Sequence, residues 1–62
     1  MDIKVAVAKI TDSCSNASIA YFEEANILEV SYDSRKIKAL FGNNPNVLTI
    51  SDTKVCILLD LV

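Results

Sequence analysis

The chain has 62 residues, a formal net charge of −2, 52% hydrophobic residues, one Gly, one Pro, two Cys and no His. A chain of this length makes one domain, 1–62, and it is too apolar for a disordered tail. The missing histidine removes the commonest general base and transition-metal ligand, and no apolar run is long enough to span a bilayer.

The first segment alternates. Ile3, Val5 and Val7 fall on one side and Lys4, Ala6 and Ala8 on the other, a period of two that predicts a strand. The opening Met1-Asp2-Ile3-Lys4 lacks the positive and then apolar stretch of a secretory signal, so a cytoplasmic protein with reduced thiols is expected. Residues 16–25 are read as a strand in preference to a short helix capped by Ser13 or Ser15. Such a helix would put Glu23 and Glu24 at its C-terminal end, where the macrodipole disfavours carboxylates.

Residues 27–32 place Leu28, Val30 and Tyr32 opposite Glu29 and Ser31, the pattern of a half-buried strand. Residues 34–41 support two readings. As a helix, Asp33 is the N-cap, Ile37, Leu40 and Phe41 form a stripe, and Gly42 terminates it. As a strand, Ile37, Ala39 and Phe41 oppose Lys36 and Lys38. Residues 47–51 and 55–62 are rich in β-branched and aliphatic side chains and are read as strands, with Cys56 in the core. Turn residues separate these runs at short intervals. The fold expected is mainly β, an antiparallel meander or small barrel, with α+β as the alternative if 34–41 is the one helix.

The stretch Tyr21-Phe22-Glu23-Glu24-Ala25-Asn26-Ile27-Leu28-Glu29-Val30-Ser31-Tyr32 resembles a hairpin of small uncharacterised bacterial β-domains, two strands joined by an acidic turn. With the preceding Ser15-Asn16-Ala17-Ser18-Ile19-Ala20, residues 15–32 are similar to the opening of KTSC-type domains. The usual Asp after the first Tyr is replaced by Phe22, and nothing after Tyr32 follows the pattern. The resemblance implies a compact β-rich fold and assigns no activity.

No residue set points to catalysis, a cofactor or a metal. Cys14 and Cys56 are too few for a structural zinc site, and one Gly cannot build a phosphate-binding loop. Glu23 and Glu24, with Glu29 nearby, are adjacent carboxylates in a turn, where nothing separates their proton affinities. Cys14 has no neighbouring base or cation in sequence to activate it as a nucleophile and is read as a loop thiol without function.

Two features point to binding. Arg35, Lys36 and Lys38 are the one basic cluster, a contact for an acidic partner or, with Tyr32, for a phosphate backbone. The C-terminal run is apolar on both sides of a strand, with Val55, Ile57, Leu59 and Leu61 opposite Cys56, Leu58 and Val62. Such a strand must be covered twice, by a closed barrel, a second copy or partner, or through pairing of its free edge. Ile57, Leu58, Leu59, Leu61 and Val62 are therefore the expected partner or oligomer contacts. The expected function is a non-enzymatic protein–protein interaction module that self-associates through this strand, of the kind phages and mobile elements use to inhibit a host complex. A small structural or virion component and a nucleic-acid-binding β-domain are the alternatives.

Overall fold

The computed structural model describes the backbone of residues 1–61 and the side chains of residues 1–60. The chain order is α1 (Ile3–Ser13), β1 (Ser18–Phe22), β2 (Ile27–Ser31), α2 (Ser34–Phe41), β3 (Val47–Ser51), β4 (Lys54–Leu58) and a closing 3-10 turn (Leu59–Leu61). The four strands form one antiparallel sheet in the order β1-β2-β4-β3. This is an α+β fold in which two helices cover one face of the sheet. It is neither a meander nor a closed barrel, because α2 carries the chain from β2 past β4 to the far edge.

The first element corrects the strand expected there. Asp2 caps α1, its carboxylate accepting from the Lys4 backbone N–H at 2.7 Å. Ala6 and Ile10 are fully buried, Cys14 follows at the C-cap, and Ile3 and Val7 pack against the same cluster. These positions are a 3.6-residue stripe, which coexists in the sequence with the alternation of Ile3, Val5 and Val7. Val5 decides between the two periods, being 58% exposed.

β1 and β2 form the expected hairpin, with Phe22 paired to Ile27 at its closed end. Its turn is held by the Ala25 N–H donating to Phe22 O and the Asn26 N–H to Glu23 O, both at 3.2 Å. Asn26 has φ 52, a left-handed conformation that asparagine tolerates better than other side-chain-bearing residues. α2 follows the helical reading: Asp33 accepts from the Arg35 N–H at 3.0 Å, and Gly42 ends the helix at φ 66. The turn between β3 and β4 holds the start of this helix, since Tyr32 N–H donates to Thr53 O and Ser34 N–H to Asp52 O.

The core is a single cluster. Strand register puts Leu28, Ile57 and Val47 in one row and Val30, Val55 and Thr49 in the next, all on the helix-covered face. Ala6, Ile10 and Cys14 of the α1 segment and Ile37 of α2 close over these rows, and Leu59 completes them. Leu59 is fixed by its own backbone, its N–H donating to Asn26 O at 3.1 Å and its carbonyl accepting from the Met1 nitrogen at 2.7 Å.

Candidate protein-contact face

Strand parity gives the sheet a second face, and no described helix covers it. Three rows cross it. Ala20, Glu29, Cys56 and Leu48 are registered side by side in the middle row. Phe22, Ile27 and Leu58 make the row at the hairpin end, and Ser18, Ser31 and Lys54 the row at the other end. Phe22 is 50% and Leu48 41% exposed, whereas Ile27, Cys56 and Leu58 on the central strands are half-buried by their neighbours. Ile50, at the irregularity that ends the β3–β4 pairing, is 60% exposed. Phe22, Ile27, Leu48, Cys56 and Leu58 thus lie together on one face of the sheet and are not scattered singly over the surface.

Among the described residues the face carries one ion pair. Lys54 Nζ lies 3.5 Å from Glu29 Oε1, bridging β4 and β2, with both side chains partly exposed. A pair so solvated contributes a few tenths of a kcal/mol at most to stability, discounted for screening. Its greater effect is to put a charge of each sign in an apolar surround. The Cys56 thiol, registered beside Glu29, is pushed above its ordinary pKa, first by burial and then by the glutamate charge. It is a poorer thiolate than a free cysteine, not an activated one.

The expected contact residues divide. Ile57 is fully buried and Leu59 1% exposed, so both belong to the core and neither is open to a partner. Leu58 alone of the described residues in that set lies on the open face. The 3-10 turn at Leu59 ends the strand sooner than expected; Val62 and the side chain of Leu61 lie outside the described residues. β4 has β2 on one side and β3 on the other, which corrects the idea that its free edge pairs with another chain. The free edges belong to β1 and β3.

Both cysteines sit opposite to expectation. Cys14, read as a loop thiol, is 5% exposed and packs in the core at the end of α1. Cys56, read as a core residue, is on the open face. The sheet separates them, and both are free.

The basic cluster lies on the helical side. Lys36 and Lys38 do not share a face, because positions two apart on a helix point away from each other. Arg35 is 93% exposed, with its guanidinium 3.9 Å from the carboxylate of Asp33. The Lys36 ammonium stands 5.9 Å from the centre of the Tyr32 ring, occupying the aromatic face that base stacking would need. Asp33, Arg35, Asp52 and Thr53 line an open depression where the two ends of the helix–turn contact meet.

Sequence reasoning missed a polar clasp at the hairpin tip. The Tyr21 hydroxyl donates to Asn26 Oδ1 at 2.7 Å, and Asn26 Nδ2 donates to the Asp60 carboxylate. Only the left-handed turn signal of Asn26 hinted at it. Among the described residues no group of three or more His, Cys, Asp or Glu is placed to hold a metal ion, and no helix is long and apolar enough to cross a membrane. Family models, curated proteins and solved structures were compared with the chain, and none gave a match.

Proposed function

We propose that this chain is a non-enzymatic protein–protein interaction module and that the open face of its sheet is the contact surface. The observation that carries the reading is the position of Phe22, Ile27, Leu48, Cys56 and Leu58 on the side the helices leave uncovered. Burying that surface is favourable at about 25 cal/mol per Å² of apolar area removed from water. The polar groups available on the face are a mutually satisfied ion pair and small hydroxyls, so a partner meets little desolvation cost there.

The rest of the molecule supports binding over chemistry. The buried thiol of Cys14 has no route to a substrate, and Cys56 is held in its protonated form.

Affinity capture from cells of the source organism tests the reading, using the wild type, a Phe22→Ser/Leu58→Asp face variant and an Arg35→Ala/Lys36→Ala/Lys38→Ala helix variant. The proteins retained by the wild type are expected to persist with the helix variant and to disappear with the face variant. Retention by the face variant, shown to be folded by circular dichroism, contradicts the reading.

A further inference from the structure

We infer that the free edge of β1 pairs with the same edge of a second copy of this chain, antiparallel about a two-fold axis at Ala20. The two sheets then become one continuous sheet. The inference goes beyond the contact face, because main-chain hydrogen bonding along the sheet edge carries it.

The alternation of an antiparallel ladder fixes which groups point outward. Leu59 N–H donates to Asn26 O and Tyr32 N–H to Thr53 O, in register with the pairs Leu28–Ile57 and Val30–Val55. Leu28 and Val30 therefore bond to β4, and Ile27, Glu29 and Ser31 bond to β1. Their partners Phe22, Ala20 and Ser18 bond inward. The N–H and C=O groups of Ile19 and Tyr21 are left facing the edge, and none of them bonds to another described residue.

The other edge is not equivalent. Leu58 N–H donates to Asn46 O, so by the same alternation Val47 and Thr49 face outward on β3. The Val47 N–H is already committed to Asn44 O, and the irregularity between Thr49 and Ser51 breaks the outer row. Such a break closes an edge to pairing. β1 has an unbroken register and neither Pro nor a charged residue.

The free groups select the register. A copy centred on Ala20 sets Ile19 opposite the copy's Tyr21, and every outward group of both chains finds a free partner. A copy centred on Ile19 would set the Tyr21 carbonyl against the Ala17 N–H, which is committed to Cys14 O. One centred on Tyr21 would set the Ile19 N–H against the Glu23 carbonyl, which already accepts from Asn26.

The side chains agree with that register. Ala20, the smallest in β1, lies at the axis, where the Cα atoms of a non-hydrogen-bonded pair are about 4.5 Å apart. Phe22 stands opposite the copy's Ser18, bulky against small, and Tyr21 opposite its Ile19, an aromatic against a β-branched side chain. No charge meets its like. This match is a property of the strand against itself, which selects a second copy over an unrelated strand. A ladder so short pairs weakly, and a disulfide at the axis traps it.

In a Cys56→Ala background, Ala20→Cys, Ser18→Cys and Leu48→Cys are each equilibrated in a glutathione redox buffer. Non-reducing electrophoresis reads the covalent dimer. All three positions are exposed. Only at Ala20 does a residue face its own copy at a separation that a disulfide spans; Leu48 is on the far edge. Ala20→Cys is expected to favour covalent dimer by about tenfold or more over the other two. Equal yields from all three, or a greater yield from Ser18→Cys or Leu48→Cys, overturn the inference. Amide exchange of the wild type gives a reading that depends on no variant. Ile19 and Tyr21 are expected to exchange about tenfold more slowly at millimolar than at low micromolar concentration, with Thr49 unchanged. Exchange at Ile19 and Tyr21 that ignores concentration overturns the second copy and leaves the contact-face reading, tested by capture, standing.

Discussion

Ile57 and Leu58 are consecutive residues on a central strand, and they face opposite sides of the sheet. Ile57 is fully buried under the helices, while Leu58 is half-buried on the open face in line with Ile27 and Phe22. Two aliphatic side chains that look alike in sequence thus have different roles, one in holding the fold and the other in presenting a surface.

That division predicts a sharp alternation in tolerance. Ile57→Ala should cost about 2–5 kcal/mol by removing buried methylenes and leaving a cavity. Leu59→Asp should abolish folding, since an unpaired carboxylate would enter the core. Leu58→Asp should leave a folded protein close to the wild type in stability, because its side chain is on the open face and not in the core. Urea unfolding followed by circular dichroism checks all three, and a Leu58→Asp chain as unstable as Leu59→Asp would contradict the strand parity.

The cysteines give a second, independent check of the two faces. Cys14 is expected to resist alkylation until the protein unfolds, and Cys56 to react more slowly than a free thiol at mildly alkaline pH. Because the folded state disfavours the Cys56 thiolate, the unfolded chain loses that proton first. Stability contributed by the protonated thiol is present below the ordinary thiol range, about pH 8.5, and is lost as pH rises past it. Cys56→Ala should flatten that part of the alkaline decline. Mass spectrometry of iodoacetamide adducts reads the labelling, and faster modification of Cys14 than of Cys56 would reverse the assignment.

The strands were more legible in the chain than the helices. The hairpin at 18–31 and the strand at 47–51 each carry a local signal that agrees with the tertiary demand; at 34–41 the caps Asp33 and Gly42 were visible, but the pattern fitted helix and strand alike and packing against the sheet decided for the helix. Gly42 has a φ of 66 and a ψ of −143, a region almost closed to other residues, so its placement was fixed by chemistry. Residues 3–13 were not legible in the same way. Their β-branched alternation competes with the helical stripe of Ile3, Ala6, Val7, Ile10 and Cys14, and only burial by the sheet decides between them. The site followed the same logic. That the terminal run is apolar on two faces was evident in the sequence, but which of its residues the core would take depended on helices arriving on one side only.

The basic residues carry a separate prediction. With Arg35, Lys36 and Lys38 spread around a helix and Tyr32 covered by Lys36, the chain should bind a labelled oligonucleotide too weakly to measure at physiological salt. Three phosphate contacts give a log–log salt slope of only roughly −3, so any binding at low salt should vanish on addition of salt. Fluorescence anisotropy across a salt series is the measurement, and tight salt-insensitive binding would favour a nucleic-acid function instead.

Amide chemical shifts of the isotope-labelled wild type, read before and after addition of a protein that it retains from cells of the source organism, test most directly whether the open face is the contact surface. The shifts that move are predicted to be those of Phe22, Ile27, Glu29, Leu48, Cys56 and Leu58, with Leu58→Asp abolishing the movement. Shifts confined to α2 around Arg35, Lys36 and Lys38, or movement unchanged in Leu58→Asp, would contradict it.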